Sequence, residues 1–123
     1  DFAPKIHCTY AHANSSKEAE QLMKKFATKS QKIDTVFCMT DEILIGVMKT
    51  IQELQLKVPA DIGVISISNG FIPNLYYPHI SYVETSGHEL GKLAFIQMMA
   101  NLKGGKTLTE LTVDAKFVEG GSM

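Results

Sequence analysis

Residues 34–70 read DTVFCMTDEILIGVMKTIQELQLKVPADIGVISISNG, and their patterning decides the fold. The run DTVFCM (34–39) is apolar and β-branched, as a buried strand requires. Thr40 and Asp41 end it and can cap a helix running to about Gln55. Val58-Pro59 then marks a turn, because the residue before proline is pushed out of the helical region. IGVISI (62–67) is a near-continuous apolar run, the pattern of a parallel strand covered by helices on both faces.

Working outward, PKIHCTY (4–10) is a short β-prone run. Ser15 or Ser16 can cap a helix whose apolar stripe is Ala19, Leu22, Met23, Phe26 and Ala27, with Lys17, Glu20, Lys24 and Lys25 on its other side. Downstream, SNGFIPNLYYPH (68–79) mixes Asn, Gly and two prolines with aromatics, too long for a tight turn and therefore a candidate working loop. ISYVE (80–84) predicts a short strand, and Ser86 or Gly87 opens a helix to about Lys103, stopped by Gly104-Gly105. LTVDAKFVE (111–119) reads as a last strand, while Gly104 to Lys106 and the GGSM tail have flexible-looking composition. Strands alternating with helices predict an α/β fold with a mainly parallel, doubly wound sheet and helices on both faces. Ligands of such sheets lie at the carboxyl ends of the strands, where 40–41, 68–70 and 84–88 would converge.

The chain has 123 residues, with 12 Lys plus Arg against 13 Asp plus Glu and a formal net charge of −1. A chain of this length buries roughly two-thirds of its unfolded surface and needs no staple. Balanced charge leaves no basic stripe for duplex DNA, so any DNA contact belongs outside these residues. Cys8 and Cys38 each sit in an apolar run, which predicts packed, reduced thiols and a cytoplasmic setting. No run approaches the ~18 apolar residues of a membrane span, and DFAPKIHCTY has no signal-peptide succession. A start at Asp1 without Met suggests a fragment.

Glycine-rich phosphate loops, nucleophile elbows, CxxC and HExxH pairs are absent. His7, His12, His79 and His88 lack helical i, i+4 spacing, so neither a metal nor a cofactor is expected. Asp41-Glu42 and Glu18-Glu20 suit helix starts better than acid–base chemistry, and no enzyme activity is expected.

Two helices have surplus apolar surface. In helix 41–55, Ile43, Leu44, Val47, Ile51 and Leu54 form the core-facing stripe, whereas Ile45 falls roughly 140° from its centre, beside Met48 and Gln52. Helix 87–103 is apolar nearly all round: Leu90, Ala94 and Met98 share one side, Leu93, Ile96 and Ala100 another.

The succession Thr40, Asp41, Gly46, Leu56, Val58, Pro59, Asp61, Ile62, Val64 and Ile65 resembles the effector-binding domain of lactose-repressor-type transcription factors. That family shows Asn-Asp-x-x-Ala-x-Gly opening a helix, then Gly-Leu-x-Val-Pro-x-Asp-[Val/Ile]-x-Val-[Ile/Val]-Gly-[Phe/Tyr]-Asp. The likeness continues through Pro78, Ile80, Ser81, Val83, Leu90 and Gly91. It ends in FVEGGSM, similar to the family's terminal [Leu/Phe]-Val-x-Arg-x-Ser. It covers essentially the whole chain.

The resemblance implies the C-terminal subdomain of a periplasmic-binding-protein-like fold, in which a small effector, by family association a sugar, binds between two subdomains. It implies DNA binding through an N-terminal helix-turn-helix outside this chain, and no membrane partner. Residues 1–85 would be the subdomain, without its first strand and helix, 86–106 a crossover helix towards the other subdomain, and 107–123 the terminal strand and tail. Thr40, Asp41, Ser68, Asn69, Ser86 and His88 are then the candidate effector contacts. Thr40 and Ser68 stand where the family often has Asn and Asp, and Gly87 lies near the place of an aromatic. Hydroxyls and an amide still suit a polar ligand, and equally suit caps and turns. The family also implies a homodimer through the 41–55 helix and the loop Pro73 to Tyr77, with Ile45, Met48, Gln52 and Tyr76 in the seam. An export-directed periplasmic sugar-binding protein of the same fold is the alternative reading.

Overall fold

The computed structural model describes residues 7–28, 33–105 and 110–123. Helix α1 spans Ser16–Ala27, strand β1 Thr35–Cys38, helix α2 Asp41–Glu53 and strand β2 Gly63–Ser68. A 3-10 turn at Pro73–Leu75, strand β3 Ser81–Glu84, helix α3 Gly87–Leu102 and strand β4 Lys116–Val118 follow. The sheet order is β1-β2-β3-β4. β1, β2 and β3 are parallel, with Cys38 beside Ser66 and Ser68 beside Glu84, and β4 runs antiparallel to β3. The expected α/β class with a mainly parallel sheet is what the chain adopts.

Each helix begins on the hydroxyl the sequence offers. Ser15 Oγ accepts from Glu18 N at 3.3 Å, Thr40 Oγ1 from Ile43 N at 3.3 Å and Ser86 Oγ from Glu89 N at 3.1 Å, each satisfying one of the first-turn N–H groups. The core joins Met23 of α1 and Leu44, Val47, Met48 and Ile51 of α2 to Cys38, Ile62, Val64 and Ile80. α1 reaches it by lying tight against α2. A Cβ on Gly46 would fall inside contact distance of the Ser16 carbonyl oxygen and the Ala19 methyl.

Several expectations need correction. α2 packs on β1 and β2, and α1 on α2, while Phe37 and Phe117 of the sheet are 51% and 53% exposed. Phe37 stands beside Ile65, and Ile67, Val83 and Phe117 form a row. Of the 4–10 run, residues 4–6 lie outside the described residues, and 7–10 form no strand. β-propensity without a neighbouring edge to pair with makes no ladder, and Cys8 is accordingly exposed while Cys38 is buried. The last strand is confined to Lys116–Val118. The GGSM tail, far from loose, buries Ser122 completely.

The aliphatic stripe of α2 also differs at its ends. Leu54 lies just past the helix end and is 44% exposed. Met48 is 5% exposed and belongs to the core. α2 is covered by α1 on one side and the sheet on another, so its buried arc is wider than a single stripe.

Candidate functional site

The carboxyl ends of the three parallel strands share one edge, as the register dictates. Two residues beyond the pair Cys38 and Ser66 stand Thr40 and Ser68. Ser68 pairs with Glu84, two residues before Ser86, and its carbonyl accepts from Thr85 N at 3.2 Å. The three expected loops therefore meet at one edge.

Most of the hydroxyls here hold the backbone. Besides the caps made by Thr40 and Ser86, Ser68 Oγ accepts from Gly70 N at 3.0 Å and Asn69 Oδ1 from Phe71 N at 3.0 Å. Asn74 Nδ2 donates to Gly70 O at 2.7 Å, closing the turn. A hydroxyl that accepts in a cap keeps its own hydrogen to donate, so the structural role leaves Thr40, Ser68 and Ser86 chemically competent. Asp41, first residue of α2, is different: its Oδ1 is sealed from solvent and has no hydrogen-bond partner among the described residues. A buried carboxylate oxygen of this kind is costly without a donor. Ser68 is 4% exposed; His88, at the start of α3, is exposed.

One neighbour was not anticipated. Glu42 accepts from Ser16 N at 2.9 Å, and that backbone bond, with the Ser16 side chain, holds its carboxyl below the usual range. The first turns of α1 and α2 thus abut, which brings the Asn14-Ser15 entry to α1 beside the Thr40 loop. Asn14 is exposed, and its N–H donates to Glu18 Oε2 at 2.8 Å. The signal in the sequence was small residues facing each other, Gly46 opposite Ser16 and Ala19, which no single-helix projection reveals.

Among the described residues no three His, Cys, Asp or Glu side chains are grouped to hold a metal, and no helix is long and apolar enough to cross a membrane. Two hollows among the described residues lie elsewhere: one along α3 between Leu90, Leu93, Met98 and Leu111, another between Met23, Phe26, Leu54 and Ile62. α3 contains no buried residue. Both of its apolar sides are open, Leu90 50% exposed and Ile96 53%.

For the expected seam, Ile45 is 38% exposed and Gln52 exposed. Met48, one turn from Ile45, is 5% exposed and packs in the core. Tyr76 packs partly against the core, and its neighbours Leu75 and Tyr77 are the outward residues, 66% and 97% exposed.

The chain is similar to known proteins in sequence and in fold. The HTH-type transcriptional regulator RegA of Clostridium acetobutylicum is 32% identical over 65 residues, 53% of this chain and 20% of RegA. The transcription regulator CcpA of Lactococcus lactis superposes with a TM-score of 0.79 at 19% identity, over 89% of this chain and 40% of CcpA. A LacI family regulator from Enterococcus faecium with bound ribose gives 0.74 at 18% identity, over 88% and 40%. The chain thus spans between a fifth and two-fifths of the length of these proteins. Because the periplasmic binding protein-like domain matches residues 3–123, nearly everything described above, the chain belongs to that family.

Proposed function

We propose that this chain is the effector-sensing and dimerising part of a cytoplasmic, DNA-binding transcriptional regulator. Its ligand is a small polar molecule of the sugar class, held between the strand-end edge and a second lobe. DNA contact lies outside residues 1–123, consistent with a net charge of −1. The observation that carries the reading is the convergence of Thr40, Asp41, Ser68, Asn69 and Ser86 on one edge, where hydroxyl, carboxylate and amide groups match a polyol's alternating acceptors and donors. His88 and Asn14 flank it. Bound ribose in the Enterococcus faecium neighbour and the regulator name of RegA support a sugar sensor over an exported binding protein, and nothing in the site calls for catalysis.

Residues 1–85 and the tail form one lobe in this reading, and α3 reaches towards the other. The seam between two copies uses Ile45, Gln52 and the Pro73 to Tyr77 loop, including Tyr76. The test is a thermal-shift screen of the intact protein against sugars and purines. A ligand at 100 times its Kd adds about 2.7 kcal/mol to stability, and Thr40→Val or Asn69→Ala should cut that gain. A panel in which only purines shift the melting point, or in which these variants respond like the parent, overturns the assignment.

A further inference from the structure

We infer that the C-terminal tail, residues 119–123, is a clamp that sets the shape of the 71–79 loop. Resting on the dimer reading above, the clamp thereby positions the surface where two copies meet. After β4 the tail leaves the edge of the sheet and passes across the amino ends of β3 and β2, with two serine hydroxyls replacing the main-chain ladder. Ser81 Oγ accepts from Gly120 N at 3.0 Å, and Ser122 Oγ accepts from Ser81 N at 2.8 Å. Ser122 then takes both main-chain groups of Val64: its Oγ donates to Val64 O at 2.5 Å, and its carbonyl accepts from Val64 N at 2.9 Å. Ser81 and Ser122 are each 0% exposed, so the bonds Ser122 makes to Ser81 and Val64 are shielded from water.

The same tail grips the exit of the loop. Gly121 N donates to His79 O at 2.8 Å, and Ile80 N to Pro73 O at 3.2 Å, closing the loop on its own 3-10 turn. A Cβ at Gly121 would lie 2.8 Å from Pro78 Cβ, so the tail and the stem are in direct contact. Pro73 is buried and Ile72 and Tyr76 lean on the core, while Phe71, Leu75 and Tyr77 point outward, 67%, 66% and 97% exposed. Held at its entry by the Ser68 and Asn69 turns and at its exit by the tail, the loop presents those three side chains in one arrangement.

Amide hydrogen exchange and sedimentation on the whole chain test the clamp, comparing the parent with Ser122→Ala and Gly121→Ala. The expected result is exchange at least tenfold faster over 71–80, with α1 and α2 amides within twofold of the parent, and a dimer dissociation constant raised tenfold or more. Unchanged exchange over 71–80 in both variants overturns the clamp. If Ser122→Ala does not fold, Gly121→Ala decides, since it keeps the hydroxyl and presses only on Pro78. A parent that sediments as a monomer at every concentration removes the dimer reading and with it the role of the surface, whereas the exchange data still decide whether the tail shapes the loop.

Discussion

Gly46 and Cys38 show what single positions demand. Gly46 lets the backbone of α1 touch α2, and any side chain there must push the Ser16 carbonyl and Ala19 away. Gly46→Ala should cost about 1–3 kcal/mol, as forced overpacking does, read from the urea midpoint. Burial pushes the Cys38 thiol up to about 12, whereas Cys8 is exposed. Because the thiolate is the nucleophile, iodoacetamide at neutral pH should label one cysteine per native chain, and peptide mapping should find the label on Cys8. The helix-capping hydroxyls of Ser15, Thr40 and Ser86 were legible in the sequence, because a cap is a local contract between neighbours. Met48 was not. Its burial depends on which partners flank α2, and a helical projection holds no information about partners.

At the scale of elements, α1 and α2 are tied by charge as well as by packing. Glu20 bridges Lys24 and Lys49, each at 2.6 Å, and Glu53 reaches Lys24 at 2.7 Å. Hydrogen bonds from Lys24 and then Lys49 lower Glu20 from 4.5 to about 2, and those from Glu20 and Glu53 raise Lys24. Glu20 is more acidic folded than unfolded, so its stabilisation is complete above the ordinary carboxylate range and is lost as pH falls from 4.5 towards about 2. The pairs are solvent-accessible, so the effect is modest and shrinks with salt. Glu20→Gln should lower stability slightly at neutral pH and flatten the acid limb of a thermal pH profile, so that variant and parent converge near pH 2. On the outer side of α2, Ile45→Asp should shift the protein towards monomer in sedimentation without lowering its melting point, because Ile45 already meets water in the single chain. The helices were readable from their 3.6-residue period. That α3 would bury nothing was readable only in part: apolar on every side, it announced surplus surface, and the lack of cover on both sides emerged from the fold.

For the whole molecule, balanced charge and the absence of a basic helix predict that residues 1–123 alone give no salt-sensitive shift of operator DNA in a gel. The mainly parallel sheet and the meeting of the 40, 68 and 85 loops followed from the alternation of strand and helix. The open second face did not, because an apolar strand such as IGVISI reads the same whether or not its cover lies within the same segment. Among the described residues β1 is also an outer strand: Thr35–Cys38 pairs on one side with β2, and TVFC contains neither lysine nor proline to blunt the other. A margin of this kind templates the next strand it meets. The handling of the protein in isolation then becomes a matter of history, since a preparation once concentrated carries seeds of strand-to-strand association into every later dilution. Light scattering should rise with the highest concentration a sample has experienced, and Phe37→Lys, which places a charge on that margin, should erase the memory.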